Sequence, residues 1–187
     1  PATFARHAAA SFLHPAPLAG KGFLHGEGVD GRLTRMERGP YQDEEDLQIL
    51  IANHPELLGA DGDDEILLIR REQAVSDTID GGGRWSLDHL FVTRDATPVL
   101  VEVKRASDTR IRREVVGQMM DYAANGAAYW KIEDLRQAFE RQCREDGCEP
   151  GERMAIFLGD DADEESFWEQ VAASLKSGRL RMLFVAD

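Results

Sequence analysis

The sequence predicts an α/β domain, a mixed sheet flanked by helices, and three observations carry that expectation. The segment 97–104 (TPVLVEVK) places Val99, Leu100, Val101 and Val103 in an apolar run, the mark of a buried central strand. A second strand-like segment, 86–93 (SLDHLFVT), precedes it across the short turn 94–98, as in a hairpin. Around this pair the hydrophobic period gives the order α, β, β, β, α and then α, β, α, β. A length of 187 residues suits one domain plus an appendage, and 42% hydrophobic content is enough for a core.

Residues 1–40 are rich in Ala, Gly and Pro and show no sustained period. They read as an extension, irregular or with one short hairpin across 22–36. Its histidines, His7, His14 and His25, are too widely spaced to suggest a metal site. The domain proper is expected at 41–187. Its first helix carries acidic residues in the first turn, where the helix dipole favours them, and an apolar face of Leu47, Leu50 and Ile51. Pro55 closes it. After an acidic loop at 61–64, residues 65–72 (EILLIRRE) read as a strand, and 80–83 as a turn. The hairpin strands come next, then a helix over 110–125 with Gly126 as its stop.

Residues 131–144 read as a second helix through Ile132, Leu135 and Phe139, and 154–158 (MAIFL) as a strand. Residues 163–176 form an amphipathic helix with Phe167, Val171 and Leu175 on one face. A final strand is expected at 179–185, and a strand so near Asp187 suggests that the native polypeptide continues.

Two charges interrupt the central run. Glu102 and Lys104 alternate onto the same face, about 7 Å apart along the strand. Burying unpaired charges costs several kcal/mol, so they need a reason there. Asp88 in the neighbouring strand supplies a second carboxylate, and His89 alternates away from it as a structural residue. Two carboxylates converging beside a lysine make a divalent-metal site with a cation next to an attacking water, the chemistry of phosphodiester hydrolysis.

The pattern Asp88-x13-Glu102-Val103-Lys104 resembles the PD-(D/E)XK nuclease superfamily. Its context strengthens the likeness. Gln118-x3-Tyr122 on the following helix matches the Q-x-x-x-Y motif of several branches, and Glu44-x-x-Leu47 resembles their N-terminal acidic helix. The literal Pro-Asp pair is absent, because Leu87 precedes Asp88. The resemblance covers about 41–187 and implies a restriction-endonuclease-like αβββαβ core. It also implies Mg²⁺ or Mn²⁺ held by Asp88, Glu102 and the Val103 carbonyl. Lys104 would orient or help deprotonate the water, and Glu44 (with Glu45 and Asp46 as rivals) would hold a water or second metal. Gln118 and Tyr122 would sit at the site. Apart from the resemblance, Glu72 at the end of the first strand is placed to enter behind it.

Charge sharpens and limits the partner expectation. The chain carries 35 acidic and 22 basic residues, a net −13, which argues against nucleic-acid binding by global electrostatics. The basic residues are unevenly placed, however. Lys104, Arg105, Arg110, Arg112 and Arg113 fall in one ten-residue segment after the motif, whereas 160–165 (DDADEE) is acidic. DNA is the expected partner, with RNA not excluded and a homodimer allowed. No apolar run approaches the ~18 residues of a membrane span, no secretory leader is visible, and a cytoplasmic location is expected. Cys143 and Cys148 read as unremarkable thiols in a reducing compartment. Two other functions fit the residues: a catalytically silent module that keeps the fold to bind protein or nucleic acid, and a metalloenzyme acting on a small phosphorylated substrate.

Overall fold

Alternation along one strand organises the domain. In β6 (Pro98–Lys104), Val99, Val101 and Val103 face one apolar cluster and Leu100 faces another. A strand covered on both faces must lie inside a sheet, and β6 does. It pairs antiparallel with β5 (Trp85–Thr93) and parallel with β7 (Arg181–Ala186). The computed structural model describes residues 9–12, 24–27, 33–36, 43–58, 65–77, 85–105, 114–159 and 162–186. Four strands form the mixed core of the sheet, with β4 (Ile66–Val75) antiparallel to β5 at one edge. The short β1 (Ala9–Phe12) adds parallel to β7 at the other edge, giving the order β1-β7-β6-β5-β4. The extension thus contributes a strand that its composition did not suggest. The hairpin expected within 22–36 is present as β2 (Leu24–Glu27) and β3 (Leu33–Met36), a separate antiparallel pair.

Helices cover both faces. α1 (Glu44–Asn53) buries Leu47 and Ile51 against the valine face of β6. On the other face lie α2 (Val116–Tyr129), α3 (Ile132–Asp146), α4 (Pro150–Leu158) and α5 (Glu164–Ser177). Phe167, Val171 and Leu175 of α5 are buried as their spacing predicts. Tight hydrogen bonds close the β5–β6 turn: Thr93 N–H donates to Thr97 O at 3.0 Å and Ala96 N–H to Thr93 O at 2.9 Å. Asp95 is further held by the Arg179 guanidinium at 3.2 Å.

Three expectations are corrected. Residues 154–158 belong to α4, not to a strand. Met154 and Phe157 are buried at i, i+3 while Ile156 is 81% exposed, which is helical periodicity, and Pro150 at the first turn marks the start. A five-residue apolar run does not distinguish the two periods. The order after β6 is therefore four helices and one strand. The helix expected at 110–125 is present as α2 and runs past its expected end to Tyr129, while residues 106–113, which hold its expected start, lie outside the described residues, as does the turn at 80–83. Gly126 does not stop that helix. A Cβ there would stand 2.7–2.8 Å from ring carbons of Trp130, so the glycine makes room for an indole whose N–H donates to Ala74 O of β4.

Cys143 and Cys148 are free thiols at the end of α3. Cys148 N–H donates to Cys143 O at 2.9 Å around Gly147 (φ 73), a Schellman ending in which this pair supplies the apolar contact.

Candidate active site at a fork in the sheet

The site arises where two strands part. β5 and β6 pair from Val92↔Pro98 to His89↔Val101 and no further. Beyond that point β5 continues with β4 to Trp85, while β6 continues with β7 to Lys104. The Val103 N–H lies in the gap and donates to Asp88 Oδ2 at 2.7 Å. A carboxylate thus bridges the fork and satisfies a backbone donor that lacks a strand partner.

Glu102 and Lys104 share the face of Leu100, toward α2. Lys104 Nζ lies 3.0 Å from Glu102 Oε1, 3.1 Å from Glu44 Oε1 and 3.9 Å from Asp88 Oδ2. The same Oε1 of Glu102 accepts from Gln118 Nε2 at 3.4 Å. Gln118 also donates to the Tyr122 hydroxyl, which in turn donates to Ser86 O at 3.1 Å. Residues from α1, β5, β6 and α2 therefore meet at one point. Glu44, not its neighbours, reaches it: Glu45 pairs with Arg71 at 2.6 Å, and Asp46 N–H is capped by Asp43 at 2.9 Å. Val103 enters through its amide, with its side chain in the α1-side core. Arg105 follows β6 directly, half-buried, whereas Arg110, Arg112 and Arg113 lie outside the described residues.

Electrostatics set the site apart from an ordinary ion pair. Glu102 is only 2% exposed, and burial, aided by the charges of Asp88 and Glu44, pushes its pKa up to about 7 despite Lys104. Burial also raises Asp88, against the Val103 hydrogen bond and Lys104, while Glu44 and Glu72 add to the rise. Burial works against the Lys104 charge, but the surrounding carboxylates outweigh it and push the ammonium's pKa up. Burial likewise raises the Tyr122 hydroxyl.

Three carboxylates around one ammonium leave two negative charges when all are ionised, which one divalent cation would balance. Glu102 Oε2 is buried and has no hydrogen-bond partner among the described residues. Both observations fit a hard cation held by Asp88 and Glu102. Among the described residues no group of three or more His, Cys, Asp or Glu side chains is arranged to hold a metal ion. Mg²⁺ does not require one, since it commonly takes one or two carboxylates and completes its shell with water.

His89 does not belong to the site. It faces α1, fully buried, donates from Nε2 to Gln48 O at 2.9 Å and stacks on Phe91 with centroids 5.7 Å apart. It positions Glu44 indirectly, by anchoring α1 to β5. Burial lowers its pKa from 6.5 to about 4. Between these values the unfolded chain binds the proton and the folded one does not, so stability is lost as pH falls from 6.5 toward 4. At 1.36 kcal/mol per pH unit the loss is about 3 kcal/mol. Urea unfolding across that range should show this limb in the wild type and lose it in His89→Gln.

Compared with family models, curated proteins and solved structures, the chain matches none of them. What the fork can do follows from its own chemistry. Sequence reasoning did not find the Ser86 carbonyl or the Val103 amide, because backbone groups carry no residue-type signal.

Proposed function

We propose that this protein is a metal-dependent nuclease that hydrolyses phosphodiester bonds of DNA, of the PD-(D/E)XK kind. One observation carries the reading. Asp88, Glu102 and Lys104 converge at the fork with Glu44, and the inner oxygen of Glu102 is buried without a partner among the described residues. A structural ion pair would not account for three carboxylates and a bare oxygen around one lysine, because burying such charge is costly.

A bound Mg²⁺ or Mn²⁺ would supply Lewis-acid polarisation of a phosphoryl oxygen and a more acidic water. Asp88 and Glu102 are the residues that would hold it. Lys104 is kept protonated by its neighbours, so it serves as a fixed positive charge for the transition state rather than as a base. Gln118 and Tyr122 brace Glu102 and position it against the sheet.

The test is cleavage of single- and double-stranded DNA and of RNA with Mg²⁺ or Mn²⁺. Turnover that depends on the metal and is lost in Glu102→Ala supports the reading. No turnover on any substrate favours the silent interaction module, which the net charge of −13 would suit.

The same reading assigns the nucleic-acid contact to the basic run from Lys104 to Arg113. Reversing the charge at Arg110, Arg112 and Arg113 together is expected to weaken DNA binding and flatten its salt dependence. Unchanged binding and salt slope in that triple variant would place the DNA contact elsewhere.

A further inference from the structure

One residue beside the site adopts a conformation that its side chain does not favour. Glu72 lies within β4 with φ 50, in the left-handed region. That region costs an L-residue with a Cβ, and Gly or Asn fills it far more cheaply. The only other non-glycine with positive φ among the described residues is Ala96 (φ 58), in the β5–β6 turn. There the methyl is buried in the core, and packing compensates. Glu72 is exposed, so no such packing explains it.

Its position offers another explanation. Arg71 pairs with His89 and Gln73 with Leu87, which sets Glu72 opposite Asp88 across the two strands. The register is continuous there, since the bulge of β4 lies earlier, between Leu68 and Arg70. Glu72 also lines, with Glu45 and Arg71, a polar cleft of about 340 Å³ that lies on the side of β4 away from Lys104 and holds neither Asp88 nor Glu102 in its lining. The Glu72 charge already bears on Asp88. The second observation is at the fork itself: Glu102, 2% exposed, keeps Oε2 without a hydrogen-bond partner among the described residues.

We propose that Glu72 is a positioning residue of the cation site, an outer carboxylate that strengthens binding of a divalent cation at Asp88 and Glu102 at the expense of local backbone strain. The inference rests on the nuclease reading above and adds a residue from β4, an element that contributes none of the other site residues. A unit charge several ångströms from a divalent ion in a partly wet site changes its affinity roughly three- to tenfold.

The experiment measures Mn²⁺ binding by calorimetry and metal-free melting in the wild type, Glu72→Gln and Glu72→Asn. Glu72→Gln keeps the Cβ and loses the charge, so its melting temperature should stay near that of the wild type while Mn²⁺ binds three- to tenfold more weakly. Glu72→Asn tolerates the left-handed backbone and should melt roughly 2–4 °C higher. Its Mn²⁺ affinity should fall as in Glu72→Gln. Wild-type affinity in both variants overturns the role of Glu72 and leaves the nuclease reading intact. A wild type that binds no Mn²⁺ overturns both.

Discussion

Lys104→Ala is expected to lower the rate of DNA cleavage by roughly 10²–10³, the usual cost of one transition-state-stabilising donor, while metal binding survives. The Lys104 ammonium stands 3.0–3.9 Å from Glu44, Asp88 and Glu102 alike. Removing it takes positive charge from the place where a phosphoryl group gains negative charge. It also leaves three carboxylates facing one another. The metal-free variant should therefore melt below the wild type, and millimolar Mn²⁺ should raise its melting temperature at least as much as it raises that of the wild type. Single-turnover cleavage and a melt with and without Mn²⁺ check both parts. Equal cleavage by Lys104→Ala would show that the chemistry lies elsewhere.

Glu102→Gln is expected to give the opposite combination, a more stable protein without turnover. With its pKa pushed up to about 7 from an ordinary 4.5, the folded Glu102 holds a proton that the unfolded chain has released. Its ionisation therefore costs stability, and the loss accrues as pH rises from 4.5 to 7. A neutral isostere escapes that cost, so metal-free Glu102→Gln should exceed the wild type at pH 8 by roughly 1–3 kcal/mol. A divalent cation needs the ionised carboxylate. Stabilisation by Mn²⁺ should consequently grow from pH 6 to pH 8 in the wild type and nearly vanish in the variant. Urea unfolding with and without Mn²⁺ measures both. A variant less stable than the wild type at pH 8 would mean that the Lys104 ion pair outweighs burial. The His89 limb slopes the other way over nearly the same range, so the wild-type profile is flatter than either contribution, and only the single variants separate them.

Local pattern made much of this protein legible. The Val99–Val103 run was legible as a strand because it is short, rich in β-branched valine and set off by the turn at 94–98. Two charges in that run marked the site, because such burial needs a partner. The faces of α1 and α5 followed from period alone. Period failed at 154–158, where five apolar residues fit strand and helix equally, and where the solvent around Ile156 and the core around Met154 and Phe157 decided for helix. It failed also at Gly126, whose role is to admit Trp130, a contact with no trace in the local sequence.

By itself, then, the sequence determined β4 to β7, most of the helices and the residue types available for chemistry, because these depend on neighbours within a few positions. Only the tertiary structure decided which acid of α1 reaches Lys104, and that β5 and β6 part after His89 so that Asp88 caps Val103. It alone set Glu72 opposite Asp88 in a left-handed turn. Each of these depends on strand register and on how far a side chain reaches between elements distant in the chain, and Coulomb energy falls with separation in space rather than in sequence.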